Sequence, residues 1–354
     1  MPSENITISL LSIFSILSFF IFLIINKFSK KIFGGLLLDV DFDKPQAFHK
    51  ESVPRCGGLA AIISLMIFYV LFFLLFKESF TQYVILSILI FLLGFSEDIK
   101  FNLRPSYRLI IMILVLILYV FFFTIDIYYL DLLFLSTWMT NNIFATFFIL
   151  ICFLFIINGA NLIDGFNGLL TIHLIIINSL LLYINLKYGH QNQVIIITAQ
   201  IVVLVIFLMF NFPNAKMFLG DSGSYMFGSL VALNVINTNN LNPDVSSFYF
   251  ASLLFYLFFE VFFSFFRKLY LGKSPIKPDN LHLHMLSFKF INRSNNLKNS
   301  NYLNSLIINL IYVCIILPTI FFNDNGLICR YWFFSILALY LVFYYLLYSF
   351  AKKQ

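Results

Sequence analysis

Aspartate, asparagine, histidine and glycine gather in a few short stretches of an otherwise apolar chain, and chemistry would have to happen there. Glu97-Asp98 closes one apolar run. Adjacent carboxylates at a helix end point in different directions, so they need not share one proton. At a C-terminus they also oppose the helix dipole and call for a cation. Asn158-Gly-Ala-Asn161-Leu-Ile-Asp164-Gly165-Phe-Asn167-Gly168 repeats side-chain oxygens about every three residues, with glycines between. Such oxygens are hard ligands suited to Mg²⁺, and the glycines let backbone N–H groups approach a phosphate. Phe218-Leu-Gly220-Asp221-Ser222-Gly223-Ser224 opens another run. Asp221 or Ser222 would serve as an N-cap, but a helix N-terminus also receives anions, or a metal–phosphate complex held by an Asp. Lys216, just upstream, is a candidate phosphate partner.

Pro278-Asp279-Asn280-Leu281-His282-Leu283-His284 carries two histidines at i, i+2, which share a face only in extended backbone. No third soft ligand is near, so hydrogen bonding to a phosphate or leaving group is preferred over zinc. Glu260 falls inside an apolar run, where a carboxylate is costly and functional by default, unless it snorkels to the inner end. His173 and Asn178 read as packing residues. Blander readings stand beside these: a charge pair marking a membrane boundary for Glu97-Asp98, and a polar turn capped by Asp164. Taken together, the clusters supply carboxylates for a metal and cations for phosphates, which phosphoryl transfer requires.

The elements that must position these groups follow from composition. The 354 residues are 61% hydrophobic, 19% aromatic and 11% charged, far too apolar for a soluble domain. Continuous apolar runs predict an all-α polytopic membrane protein of about eleven spans (ten to eleven) in one integral-membrane domain over 1–354. They fall at 6–26, 58–76, 80–95, 107–125, 143–158, 168–186, 193–210, 223–237, 248–266, 303–322 and 328–349. Strands are not expected, since the runs do not alternate.

Nineteen of the 22 Lys and Arg residues fall on one side if the N-terminus lies outside, leaving Lys77, Lys187 and Arg330 on the other. The positive-inside rule then places the C-terminus and the loops at about 28–57, 96–106, 158–168, 211–222 and 267–302 in the cytoplasm. The polar clusters all lie in those loops. The first span, with no Lys or Arg before it and no cleavage site after it, reads as a retained anchor. The net charge of +6 is therefore a membrane-topology signal and does not indicate nucleic acid. The four cysteines show no paired spacing and suggest neither a disulfide framework nor a thiolate site.

The chain resembles the polyprenyl-phosphate N-acetylhexosamine-1-phosphate transferases (glycosyltransferase family 4), of the O-antigen- or capsule-initiating type. Members move a sugar 1-phosphate from a UDP-sugar to undecaprenyl phosphate and release UMP. The resemblance is carried by PQAFHKESVPRCGG, GFSEDIK, NLIDGFNGL, KMFLGDSGS and PDNLHLHML, five motifs in the family's order. It implies Asp221 as the principal Mg²⁺ ligand (Mn²⁺ as a substitute), with Asn161 and Asp164 helping to hold nucleotide and metal. Asp98, paired with Glu97, would deprotonate or orient the lipid phosphate. His282 and His284 would contact the diphosphate or sugar, with His49, Arg55, Asn167, Lys216 and Glu260 on the substrates. The implied mechanism is direct attack of the lipid phosphate on the β-phosphorus, with a covalent aspartyl-phosphate as its rival. The resemblance also implies the bacterial cytoplasmic membrane, an active site on its cytoplasmic face, and a homodimer.

Several positions depart from the family pattern. Glu97 stands where many members have Asp, Ala47 where Lys is frequent, and Asn167 where some have a second Asp. Met285 replaces a third histidine, which points away from the peptidoglycan branch with its run of three. The donor is open among UDP-N-acetylhexosamines, with UDP-GlcNAc as default and 6-deoxy sugars as variants. The competing readings are a multi-span transporter or flippase, which would place charge and helix breaks at mid-membrane, and a catalytically silent scaffold.

Overall fold

A computed structural model describes residues 4–39, 52–101, 103–275, 277, 279–295 and 300–352. The helices are α1 (Glu4–Phe28), α2 (Gly57–Phe76), α3 (Thr81–Asp98), α4 (Pro105–Phe123), α5 (Leu133–Met139), α6 (Asn142–Ile163) and α7 (Leu169–Lys187). They continue with α8 (Gln191–Asn211), α9 (Gly220–Leu241), α10 (Ser247–Tyr270), α11 (Leu283–Asn295), α12 (Ser300–Ile316) and α13 (Gly326–Lys352). Among the described residues the only strands are β1 (Leu38–Asp39) and β2 (Val53–Pro54), paired antiparallel with Leu38 opposite Pro54.

Among the described residues, ten helical segments are long and apolar enough to cross a membrane, nine of these helices and Ser300–Phe322, which extends α12. The eleventh expected span is α9. It has spanning length, at 22 residues, but carries Ser222, Ser224, Ser229, Asn234, Thr238 and Asn239 among its buried positions. Packed against α2, α3, α6 and α7, α9 is wrapped by protein and needs no lipid-compatible surface. Small and polar residues suit that position, because helices in a membrane associate by close packing and hydrogen bonds.

Several of the expected loops prove to be helix ends. α6 continues through Asn158 and Asn161, leaving only 164–168 as a turn. α3 runs through Glu97 and Asp98, and the 267–302 loop contains α11. These boundaries shifted because an apolar run stops at its first polar residue, whereas helix hydrogen bonding does not.

Candidate active site

The site is built where α3 and α6 end and α4 and α9 begin. Two glycine contacts bring α9 to its place. A Cβ on Gly94 of α3 would sit 2.4 Å from the Asp221 carbonyl, and one on Gly58 of α2 would sit 2.3 Å from Ser222 Oγ. The segments before the helices are stitched together as well: Phe218 N donates to the Pro54 carbonyl (2.9 Å), Gly57 N to Phe218 (2.9 Å) and Gly58 N to Leu219 (2.8 Å). Gly220, at φ +79°, turns the chain into α9 against the Asp98 carboxylate.

The first four N–H groups of a helix lack internal partners. Here neither Asp221 nor Ser222 caps its own helix. Asp98 reaches over from α3 and accepts the N–H groups of Asp221 (2.9 Å) and Ser222 (3.0 Å) and the Ser222 hydroxyl (2.5 Å). A carboxylate at a helix N-terminus is favoured by the dipole, which offsets part of the cost that Asp98 carries at the end of α3.

Asp221, in the first turn of α9, stays half-buried. Asn161 Nδ2 donates to its Oδ1 (3.0 Å) and to Ser224 Oγ (3.0 Å). Arg108 Nη1 from α4 lies 3.3 Å from Asp221 Oδ2 and 3.4 Å from Glu97 Oε2, with its guanidinium 5.7 Å from the Tyr225 ring centroid. The structure thus joins Glu97, Asp98, Asn161 and Asp221.

Asp164 and Arg55 flank this cluster. Asp164 is half-buried by area, but desolvation and then the charges of Asp221 and Asp98 hold its carboxyl well above the usual range, against a weaker pull from Arg55. Burial would lower the Arg55 guanidinium, but Asp39, Asp221 and Asp98 outweigh it and raise it. Arg55 is oriented by Asp39, whose Oδ2 accepts both Nε (3.0 Å) and Nη2 (2.7 Å).

The remaining sequence-derived candidates lie elsewhere. Lys216 is exposed. Asn167 is used in tying loops together: its N–H donates to Asn301 Oδ1 and its amide to the Pro213 carbonyl, both at 2.8 Å. Glu260, His282 and His284 form a separate buried network, with His282 and His284 only 2% and 0% exposed. His49 lies outside the described residues. His173 packs as expected, its Nδ1 3.2 Å from Asn309 Oδ1.

Sequence reasoning passed over Arg108, Ser224 and Asp39 and read Ser222 only as a cap of its own helix, whereas its N–H and hydroxyl donate to Asp98. Arg108 had a signal: it is a basic residue on the first turn of the span that follows the Glu97-Asp98 pair.

Among the described residues no three His, Cys, Asp or Glu side chains converge to hold an ion alone. Asp221, Asn161 and Ser224 offer hard oxygens only, and reversing the Asn161 amide would present Oδ1 where Nδ2 now stands. That set fits Mg²⁺, which keeps waters and binds through one or two carboxylates plus substrate phosphates.

Residues 80–239 match the family described as glycosyl transferase family 4. The chain is 29% identical over 273 residues to the undecaprenyl-phosphate alpha-N-acetylglucosaminyl 1-phosphate transferase of Thermotoga maritima, covering 76% of this chain and 78% of that protein. It is 31% identical over 275 residues to the phospho-N-acetylmuramoyl-pentapeptide-transferase of Dictyoglomus thermophilum, covering 74% of this chain and 85% of that protein. A probable undecaprenyl-phosphate N-acetylglucosaminyl 1-phosphate transferase of Bacillus subtilis is 28% identical over 258 residues, 69% of this chain and 68% of that protein. Asp98, Asn161, Asp164 and Asp221 fall inside the matched 80–239 segment; the histidine loop and α13 fall outside it.

Proposed function

The chain belongs to glycosyl transferase family 4, and we propose from this that it transfers N-acetylhexosamine 1-phosphate from a UDP-sugar to undecaprenyl phosphate. The observation that carries the reading is the meeting of Asp98, Asp221, Asn161 and Arg108 from four helices at one end of the bundle. A phosphate oxygen of the lipid attacks the β-phosphorus of the donor. The new P–O bond joins sugar phosphate to lipid phosphate, and the bond from β-phosphorus to the bridging oxygen breaks, with UMP leaving on that electron pair.

A bound Mg²⁺ would supply charge neutralisation and polarisation of the diphosphate. Asp221 and Asn161 would hold it, with Ser224 beside them. Arg108 and Arg55 supply fixed positive charge for phosphate oxygens, as phosphoryl transfer demands. Arg108 is flanked on α4 by exposed Tyr107 and Leu109, so a phosphate on a lipid tail can reach it from the bilayer side. A phosphate monoester is already largely doubly ionised near neutral pH, since its second pKa is about 6. No base is needed, and Asp98 acts by orienting Asp221 and the first turn of α9.

The missing third histidine at Met285 favours a UDP-N-acetylglucosamine-like donor, or its 6-deoxy relatives, over a muramoyl pentapeptide. The product would start a lipid-linked surface glycan such as O-antigen or capsule. The concentration of nineteen of the 22 basic residues on the side of the site supports a cytoplasmic face for it. The test is mass spectrometry of the lipid product from purified protein offered each UDP-N-acetylhexosamine and UDP-MurNAc-pentapeptide. A diphospholipid bearing a single hexosamine supports the assignment; one bearing only the muramoyl pentapeptide overturns it.

A further inference from the structure

The transfer step leaves unused a closed ring of side chains that ties α13 to the histidine loop. Tyr340 donates to Glu260 Oε2 at 2.5 Å. Glu260 Oε1 faces His282 Nδ1 at 3.0 Å and accepts the Leu283 N–H at 3.1 Å. His282 Nε2 lies 3.2 Å from Asp279 Oδ1. Asp279 accepts Arg267 Nη2 through both oxygens, at 2.8 and 3.1 Å. Arg267 Nη1 donates to the Tyr344 hydroxyl at 2.7 Å, and the Tyr344 ring stacks on that of Tyr340, centroids 6.3 Å apart. Arg267 and Tyr344 also both donate to the Leu281 carbonyl. The segment 279–283 is thereby held by a carboxylate, a carbonyl, an imidazole and a backbone N–H.

Charges buried this deeply are tolerated only when each is matched, and an intramembrane carboxylate marks function. Both ring nitrogens of His282 lie beside carboxylate oxygens, Nδ1 at Glu260 Oε1 and Nε2 at Asp279 Oδ1. No atom of His282 is left for a ligand. His284 stacks on His282 with centroids 5.5 Å apart and planes 6° from parallel. It also meets the edge of Phe166 at 5.8 Å and 78°. Phe166 lies two residues beyond Asp164 in the short turn before α7.

We propose that Tyr340, acting through Glu260 and the His282–His284 stack, is a positioning residue that sets the turn carrying Asp164. The proposal rests on the transferase reading above. It makes Glu260, Asp279 and Arg267 members of the same frame and removes Glu260 and His282 from direct substrate contact.

The test measures UMP release with UDP-GlcNAc and undecaprenyl phosphate for wild type, Tyr340→Phe, Phe166→Leu and the double variant, with thermal unfolding alongside. Tyr340→Phe keeps the ring and loses one donor. Its kcat is expected to fall between about 10- and 100-fold, the scale on which small misplacement acts, with KM for the donor within about two-fold. The double variant is expected to be no slower than the slower single variant, because both changes act along one path. Should Tyr340→Phe lose its unfolding transition, Glu260→Gln takes its place in the comparison, since its amide keeps one acceptor oxygen and sets a donor against the donors at the other. An unchanged kcat in the folded variant overturns the proposal, and so do losses that multiply in the double variant. A wild type that releases no UMP from any UDP-N-acetylhexosamine overturns the transferase reading, and the proposal with it.

Discussion

Asp98 Oδ1 accepts the backbone N–H of Asp221 at 2.9 Å, so the two acids are joined through the peptide backbone and share no proton. One carboxylate completes a helix terminus and the other is left half-buried beside Arg108 and Asn161. The division of labour follows from which atoms are already used. Asp98 has spent its oxygens on three donors, whereas Asp221 faces only a weakly placed guanidinium and an amide.

Replacing Asp98 by alanine strands the N–H groups of Asp221 and Ser222 at a buried helix start. The expected cost is about 1–3 kcal/mol for each unsatisfied buried group, seen as a lowered unfolding temperature together with lost turnover. Asp98→Asn should do little better, because its amide NH₂ presents donors to donors. An unfolding temperature matching wild type in both variants would contradict the capping role.

Gly94→Ala tests how α3 and α9 approach. The added methyl would sit 2.4–2.6 Å from Asp221 carbonyl atoms and Ser222 Cα, which are backbone and cannot swing aside. The helices must separate, with a penalty of about 1–3 kcal/mol for overpacking and displacement of Asp221. Gly165→Ala, at a position with nothing within 4 Å, is the control. Equal thermal stability and activity of the two variants would show that the contact is not tight.

Much of this site was legible in the amino-acid order. Glu97, Asp98, Asn161, Asp164 and Asp221 stood out because polar residues are expensive in a chain this apolar, and they fell at the ends of predicted spans. What they touch was not legible. A helix cap supplied by another helix has no local spacing to read, so Asp98 read as half of an acidic pair calling for a cation and Ser222 as a self-cap. Tyr340 and Tyr344 are two of 19 tyrosines on an ordinary apolar run, and only packing of α13 on α10 gives them partners. The fold shows the same divide: apolar runs located all eleven long helices, α9 among them as 223–237, but not that α9 would be wrapped by protein with buried Ser, Asn and Thr side chains.

His284 gives a pH dependence of definite sign. Burial lowers its imidazole from 6.5 to about 3; Glu260 pulls the other way, and His282 adds to the lowering. Its neutral form is therefore the folded form. The unfolded chain binds the extra proton between pH 6.5 and about 3, so this residue's contribution is whole above pH 6.5 and lost as pH falls through that window. The slope it adds approaches about 1.4 kcal/mol per pH unit. Thermal unfolding of wild type and His284→Asn at a series of pH values checks this. The variant should show the shallower acid-side slope, and parallel slopes would contradict the assignment.

The central claim is metal-assisted transfer onto a lipid phosphate, and UMP release by the purified protein tests it most directly. The assay contains UDP-GlcNAc and undecaprenyl phosphate, with Mg²⁺ present or removed by EDTA, and Asp221→Ala in parallel. UMP should form only with lipid and metal together. Asp221→Ala should lose at least about 100-fold in rate, the scale on which a charge-stabilising group acts, while unfolding at nearly the wild-type temperature. UMP release without lipid, or full activity in EDTA or in Asp221→Ala, would contradict the account.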